Sequence, residues 1–193
     1  MEPSTPFLPF LEPQPAHDPK GKTRTALKGV VATADVSDCG RWRRSLTREW
    51  TAPGALPRTI LWVGMNPSTA DALVDDPTCT REQGFCRRWG YTRYLKGNVM
   101  DWRATFPSDV PKDHAMASTP QNLEALARMA NEAECIVAAW GKLPPTLTPL
   151  AKQTAAFLAT FGKPMLCMGT NGDGSPKHPL YLRGDTAPRP FTP

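Results

Sequence analysis

Apolar residues gather into four short runs, and the stretches between the later ones carry helical spacing. The runs are Thr59 to Val63, Leu95 to Met100, Cys135 to Ala139 and Met165 to Met168. Runs of this length, stopped by Gly, Pro or Asn, read as strands inside a sheet covered on both faces. Thr80 to Trp89, closed by Gly90, predicts a helix. Thr119 caps a second one, with Pro120 in its first turn and Leu123, Leu126, Ala127 and Ala130 along one stripe. Leu150 to Phe161 predicts a third. Upstream, Leu27 to Val31 and Trp42 to Trp50 flank Ser37-Asp38-Cys39-Gly40, which has turn chemistry, and together they predict a hairpin. The alternation implies an α/β fold: a three-layer sandwich with a central, mainly parallel four-stranded sheet plus the N-terminal hairpin.

Every predicted strand releases polar residues at the same end. The first leads into Gly64-Met65-Asn66-Pro67-Ser68-Thr69, with Asp75 and Asp76 shortly after. From the second come Asn98, Asp101 and Arg103, and the third closes on Trp140-Gly141. Beyond the fourth lie Asn171, Asp173, Lys177 and His178. Parallel strands share one carboxyl edge, where open α/β sheets bind ligands, so these side chains are expected around one cleft.

Composition narrows the partners. A chain of 193 residues suits one domain. Six of its 22 prolines fall within the first 19 residues. Residues 1–25 therefore read as a Pro-rich flexible arm, and residues 26–193 as a single α/β domain. A net charge of +5 suits nucleic acid or another polyanion. Arg41, Arg43, Arg44 and Arg48 form one basic stretch, and Arg81, Arg87, Arg88, Arg93 and Lys96 another. Aromatic residues interleave with both, either to stack on bases or to fill the core beneath a solvated face. No apolar stretch nears the ~18 residues of a membrane span, and no secretory signal is evident. Five scattered cysteines without a C-x-x-C pair suggest neither zinc nor disulfides, and a cytoplasmic location is expected. Neither G-x-G-x-x-G nor a P-loop occurs, so no cofactor, and no nucleotide cofactor in particular, is expected.

Several ordered blocks resemble the uncharacterised family called domain of unknown function 1643. They are Asn66-Pro67-Ser68-Thr69-Ala70 with Asp75-Asp76-Pro77-Thr78, Arg87-Arg88-Trp89-Gly90-Tyr91, Asn98 with Arg103-Ala104-Thr105, Ala139-Trp140-Gly141, and Gly172 through Tyr181. That resemblance covers about Leu27 to Phe191 and implies no activity. More remotely, the motif order is similar to the uracil-DNA glycosylase superfamily. Its mismatch-specific branch has a G-x-N-P motif like Gly64-Met65-Asn66-Pro67; other branches have an Asn and an Arg comparable with Asn98 and Arg103. Some have a Trp-Gly like Trp140-Gly141, and the last motif, His-Pro-Ser, corresponds to His178-Pro179-Leu180. Leu180 replaces the Ser that supports a phosphate contact, so the DNA-penetrating loop is not carried over.

The remote resemblance implies hydrolysis of an N-glycosidic bond on an extruded nucleotide, with DNA as the favoured partner. Asn66 would position a water, Asp75 or Asp76 would supply basicity, and His178 would donate to the departing base. Asn98 would read the base edge, and Trp62 or Trp140 would provide a stacking wall. Gly64, Met65, Pro67, Ser68, Thr69, Arg103, Gly141 and Lys177 would complete the binding surface. Each also has a structural reading: Asn66 capping its loop, Asp75 and Asp76 capping a helix, and Asn98 tying loops together. Likewise Arg103 would pair with Asp101 or Asp173, His178 would satisfy backbone groups, and Trp140 would sit in the core. A binding module that recognises nucleic acid or a modified nucleotide without cutting it is the alternative function.

Overall fold

The computed structural model describes residues 24–25 and 29–192. In chain order the elements are β1 (Arg24–Thr25), β2 (Val31–Val36), β3 (Arg43–Glu49), β4 (Thr59–Gly64), β5 (Val74–Asp75), α1 (Pro77–Arg88) and β6 (Arg93–Asn98). They continue with α2 (His114–Ala117), α3 (Pro120–Glu132), β7 (Cys135–Ala138), α4 (Thr148–Ala159), β8 (Met165–Cys167) and β9 (Arg189–Pro190). Seven strands form one mixed sheet in the order β2-β3-β6-β4-β7-β8-β9. This corrects the expected four-stranded, mainly parallel sheet. The four central strands are parallel, but β3 joins β6 antiparallel and β9 joins β8 antiparallel. The hairpin is thus an extension of the sheet, because β3 finds the open edge of β6.

β4 lies at the centre and is buried at all six positions. Its alternation divides the core: Leu61 and Val63 pack with α3 and α4, whereas Ile60 and Trp62 pack with α1. α1 starts at Pro77, three residues before the expected Thr80, because Asp76 caps it by accepting from Cys79 N at 2.8 Å. At α3 the cap comes from elsewhere: Asp101 accepts from both Thr119 N and Thr119 Oγ1. The buried stripe of α3 is Asn122, Ala125, Leu126, Met129 and Ala130, so the predicted stripe was rotated and Leu123 is exposed.

α3 bears closely on β6. A Cβ at Gly97 would stand 2.5 Å from Leu126 Cδ2 and 2.9 Å from Met129 Cε, so any side chain there would have to push the ends of these two side chains aside. The first hairpin strand, expected over Leu27 to Val31, runs instead over Val31–Val36. Arg24 and Thr25, expected at the end of the arm, pair with Asp75 and Val74. The rest of the Pro-rich arm lies outside the described residues. No helix among the described residues is long and apolar enough to cross a membrane.

Candidate functional site

At the carboxyl edge of the parallel strands the described residues enclose a cavity of about 590 Å³. Such a volume suits a small ligand or a single nucleotide unit. Asn66 and His178 both line it, although 112 positions separate them in sequence. Gly64, Met65, Ser68, Thr69, Asp76 and Asn98 line it as well, and so do Trp140 and Gly141. Asp75, Pro67, Arg103 and Lys177 do not line it.

The four outside the wall have other work. Asp75 is buried between Arg48 and Gln83: Arg48 Nη2 lies 2.9 Å and Arg48 Nε 3.0 Å from Oδ1, and Gln83 Nε2 donates to Oδ2 at 2.9 Å. It is a structural ion pair rather than a base. Arg103 donates to three backbone carbonyls, Ser68 O, Gly40 O and Thr69 O, at 3.3 to 3.5 Å, and clamps the β4 loop to the hairpin turn. It pairs with neither Asp101 nor Asp173. Pro67 lends its carbonyl to Asn66 and to Ala104 N. Lys177 is exposed, and its backbone N–H bonds Gly169 O at 2.8 Å. Trp62, the other candidate stacking wall, is fully buried in a three-ring cluster with Phe85 and Trp89. Trp140 is also mostly core, edge-on to Phe191 at 5.6 Å, with only part of it facing the cavity.

Within the wall, Asn66 donates through Nδ2 to Ala104 O at 2.8 Å and to Pro67 O at 3.0 Å. Those bonds fix the amide so that Oδ1 remains its acceptor. His178 Nδ1 accepts from Leu180 N at 3.4 Å, so the neutral ring carries its proton on Nε2. Burial first, and the Lys96 charge second, lower the His178 pKa to about 4, opposed by Asp76. The imidazole is therefore a neutral donor at physiological pH. Gly141, at φ 72°, lets His178 approach: a Cβ there would lie 3.3 Å from His178 Cβ. Asp76, whose Oδ1 caps α1, is the only carboxylate on the cavity wall among the described residues.

Asn98 is the least satisfied group on the wall. It is 0% exposed, and neither its Nδ2 nor its Oδ1 has a hydrogen-bond partner among the described residues. Its backbone is held firmly, since Asn122 Nδ2 donates to Asn98 O at 3.1 Å and to Val99 O at 3.2 Å. An unpaired amide in such a place costs about 1–3 kcal/mol. Buried polar groups are normally bonded, so an unpaired amide on a cavity wall is placed to bond whatever enters the cavity, water or ligand.

Two side chains absent from the sequence-based set stand beside it. Lys96 Nζ lines the cavity and bonds Glu82 Oε1 at 2.7 Å, while Tyr94 Oη donates to Glu82 Oε2 at 2.6 Å. Burial raises the Glu82 carboxyl above its ordinary range, against the pull of Lys96 and the two hydrogen bonds. A Cβ at Gly64 would meet Lys96 Nζ at 2.7 Å and Asn98 Oδ1 at 2.9 Å, so Gly64 is the gap that admits both. Strand parity held the signal, because Tyr94, Lys96 and Asn98 must share one face of β6. Glu82 was legible too, as a lone acid within the helical stripe Cys79, Glu82, Gln83, Cys86.

Among the described residues no cluster of His, Cys, Asp or Glu is arranged to hold a metal. Comparison with curated proteins and with solved structures found no match to either. Residues 41–180 match the family described as protein of unknown function (DUF1643), and with most of its length covered the chain belongs to that family.

Proposed function

We propose that the cavity receives a nucleobase and that the protein acts as a DNA glycosylase-like hydrolase of an N-glycosidic bond, with nucleic acid, DNA favoured, as its partner. The observation that carries this reading is Asn98, whose buried, unpaired amide offers one donor and one acceptor side by side. That is the complement of a base edge. The other groups fit the same reaction. Asn66 Oδ1 orients a water toward the sugar carbon, but an amide cannot take its proton, so Asp76 is left as the base. As the bond lengthens, the sugar gains oxocarbenium character and the base leaves with negative charge. Nε2–H of the neutral His178 donates to that charge. A preorganised donor of this kind contributes about 3–4 kcal/mol to the transition state.

The test is a base-release screen over oligonucleotides carrying uracil, thymine mispairs and modified pyrimidines, read by mass spectrometry. One substrate is expected to lose its base, and His178→Ala to slow release about 100-fold or more. Asn66→Ala should abolish it. One observation favours a non-catalytic binding module as the second reading: Asp75 is locked to Arg48, and Asp76 already caps α1. Ligand binding that survives both substitutions, with no base freed from any substrate, would select it.

A further inference from the structure

Strand β3 carries two buried arginines, and only one of them is satisfied. Arg48 is paired to Asp75 and also donates to Thr47 O, Asp71 O and Val74 O. Arg43, five residues earlier and 1% exposed, makes one side-chain hydrogen bond, Nη1 to Ala70 O at 2.7 Å. Its Nε is buried without a partner, and no carboxylate pairs with it among the described residues. A guanidinium stays charged inside a protein and is costly to bury unpaired. Arg43 also lines the cavity.

The backbone shows how it gets there. Pairing with β2 slips between Asp35 and Val36: Asp35 opposes Ser45, and Val36 opposes Arg43, which leaves Arg44 as the extra residue of a bulge. In a strand that ran regularly through Arg44, without the bulge, period-two alternation would set Arg43 on the opposite face from Leu46 and Arg48. With it, positions 43, 46 and 48 are all buried. Arg44, displaced outward, meets Asp35 at 3.5 Å. The bulge therefore turns one specific cation inward, to a wall where Lys96 and Lys142 also stand and Asp76 is the sole carboxylate among the described residues.

We infer that Arg43 is the oxyanion-binding group of the cavity and that the ligand it completes is a phosphate, carried either at the end of a nucleotide or within a nucleic-acid backbone. The choice of phosphate over other oxyanions rests on the nucleobase reading above. A guanidinium fork suits phosphate oxygens, and the position occupied by Leu180 has no hydroxyl to offer one.

Calorimetric titration of the full chain tests this with four probes: a pyrimidine nucleoside, its 5′-monophosphate, a short single-stranded oligonucleotide and inorganic phosphate. A phosphate-bearing probe is expected to bind about tenfold more tightly than the nucleoside, as one charge-assisted contact gives. Inorganic phosphate should compete with it and not with the nucleoside. Advantage in the monophosphate identifies a terminal phosphate, and advantage in the oligonucleotide alone identifies a phosphodiester. Arg43→Gln should erase the advantage while nucleoside binding persists. Arg43→Lys, which keeps charge but loses the fork, should retain part of it. Equal binding of nucleoside and phosphate-bearing probes to the wild type overturns the inference, as does a full advantage retained by a folded Arg43→Gln. Should Arg43→Gln fail to fold, the wild-type competition decides: no displacement by inorganic phosphate also overturns it. Phosphate-dependent binding without base release from any substrate would remove the hydrolase and leave this site standing. Base release that ignores phosphate would do the reverse.

Discussion

The two faces of the sheet are built on different chemistry. Toward α3 and α4 the packing is mostly apolar, from Leu61, Val63 and Ile136 to Leu126, Met129 and Leu158, with Asn122 and Thr154 as the buried polar side chains of the two helices and no charged group among them. Toward α1 an apolar layer of Ile60, Trp62 and Phe85 is interrupted by Arg48 with Asp75, by Lys96 with Glu82, by Arg43 and by Asn98. A face that needed only stability would not bury these groups, since well-packed apolar residues do as well or better. The contrast agrees with the site proposed on the α1 side, with the α3 side as the support that packs against β6.

Substitutions on the two faces should therefore behave differently. The largest expected effect is Asp75→Ala, which strands the Arg48 guanidinium and should cost about 3–5 kcal/mol in chemical denaturation. A loss under about 1 kcal/mol would mean that the pair is not what holds this face. On the apolar face, Leu126→Ala should cost about 2–5 kcal/mol through the cavity it leaves.

The next prediction concerns acid. His178, lowered to about 4 in the folded protein, takes up a proton more readily once the chain unfolds. Its contribution to stability is complete above about pH 6.5, the unperturbed value, and is lost as pH falls toward 4. Stability measured at neutral, mildly acidic and acidic pH should fall more steeply for the wild type than for His178→Gln. Identical slopes would remove His178 from this account. Smallest, and opposite in sign, is Asn98→Leu: replacing an unpaired amide by an apolar side chain should raise stability by about 1 kcal/mol. The same change should abolish ligand binding, and a destabilised variant would show that the amide is satisfied after all.

Much of the architecture could be read from the chain because buried parallel strands are short apolar runs and their ends coincide. Asn66, Asn98, Trp140 and His178 were placed on one edge by that logic, and they line one cavity. The sheet's outer strands were harder. β9 is only two residues long, and the pairing of β3 to β6 depends on which edge is open, which local pattern does not encode. Asp75 and Asp76 are adjacent and alike in sequence, yet one bonds Arg48 and the other opens α1 beside the cavity. Their separation comes from strand β5 ending where the helix begins. Arg43 was hidden for a related reason: a basic stretch reads as solvated surface, and a one-residue bulge that reverses a side chain's direction leaves no mark in composition.

Gly97 gives the apolar face a say in what the cavity can hold. With no side chain there, Leu126 and Met129 press on the strand from behind, between the two positions whose side chains form the opposite floor. Trimming Leu126 or Met129 should let that floor sink, and bulkier replacements should push it upward. Variants selected for larger or smaller ligands are then expected to carry changes in α3, a helix that none of those ligands touches.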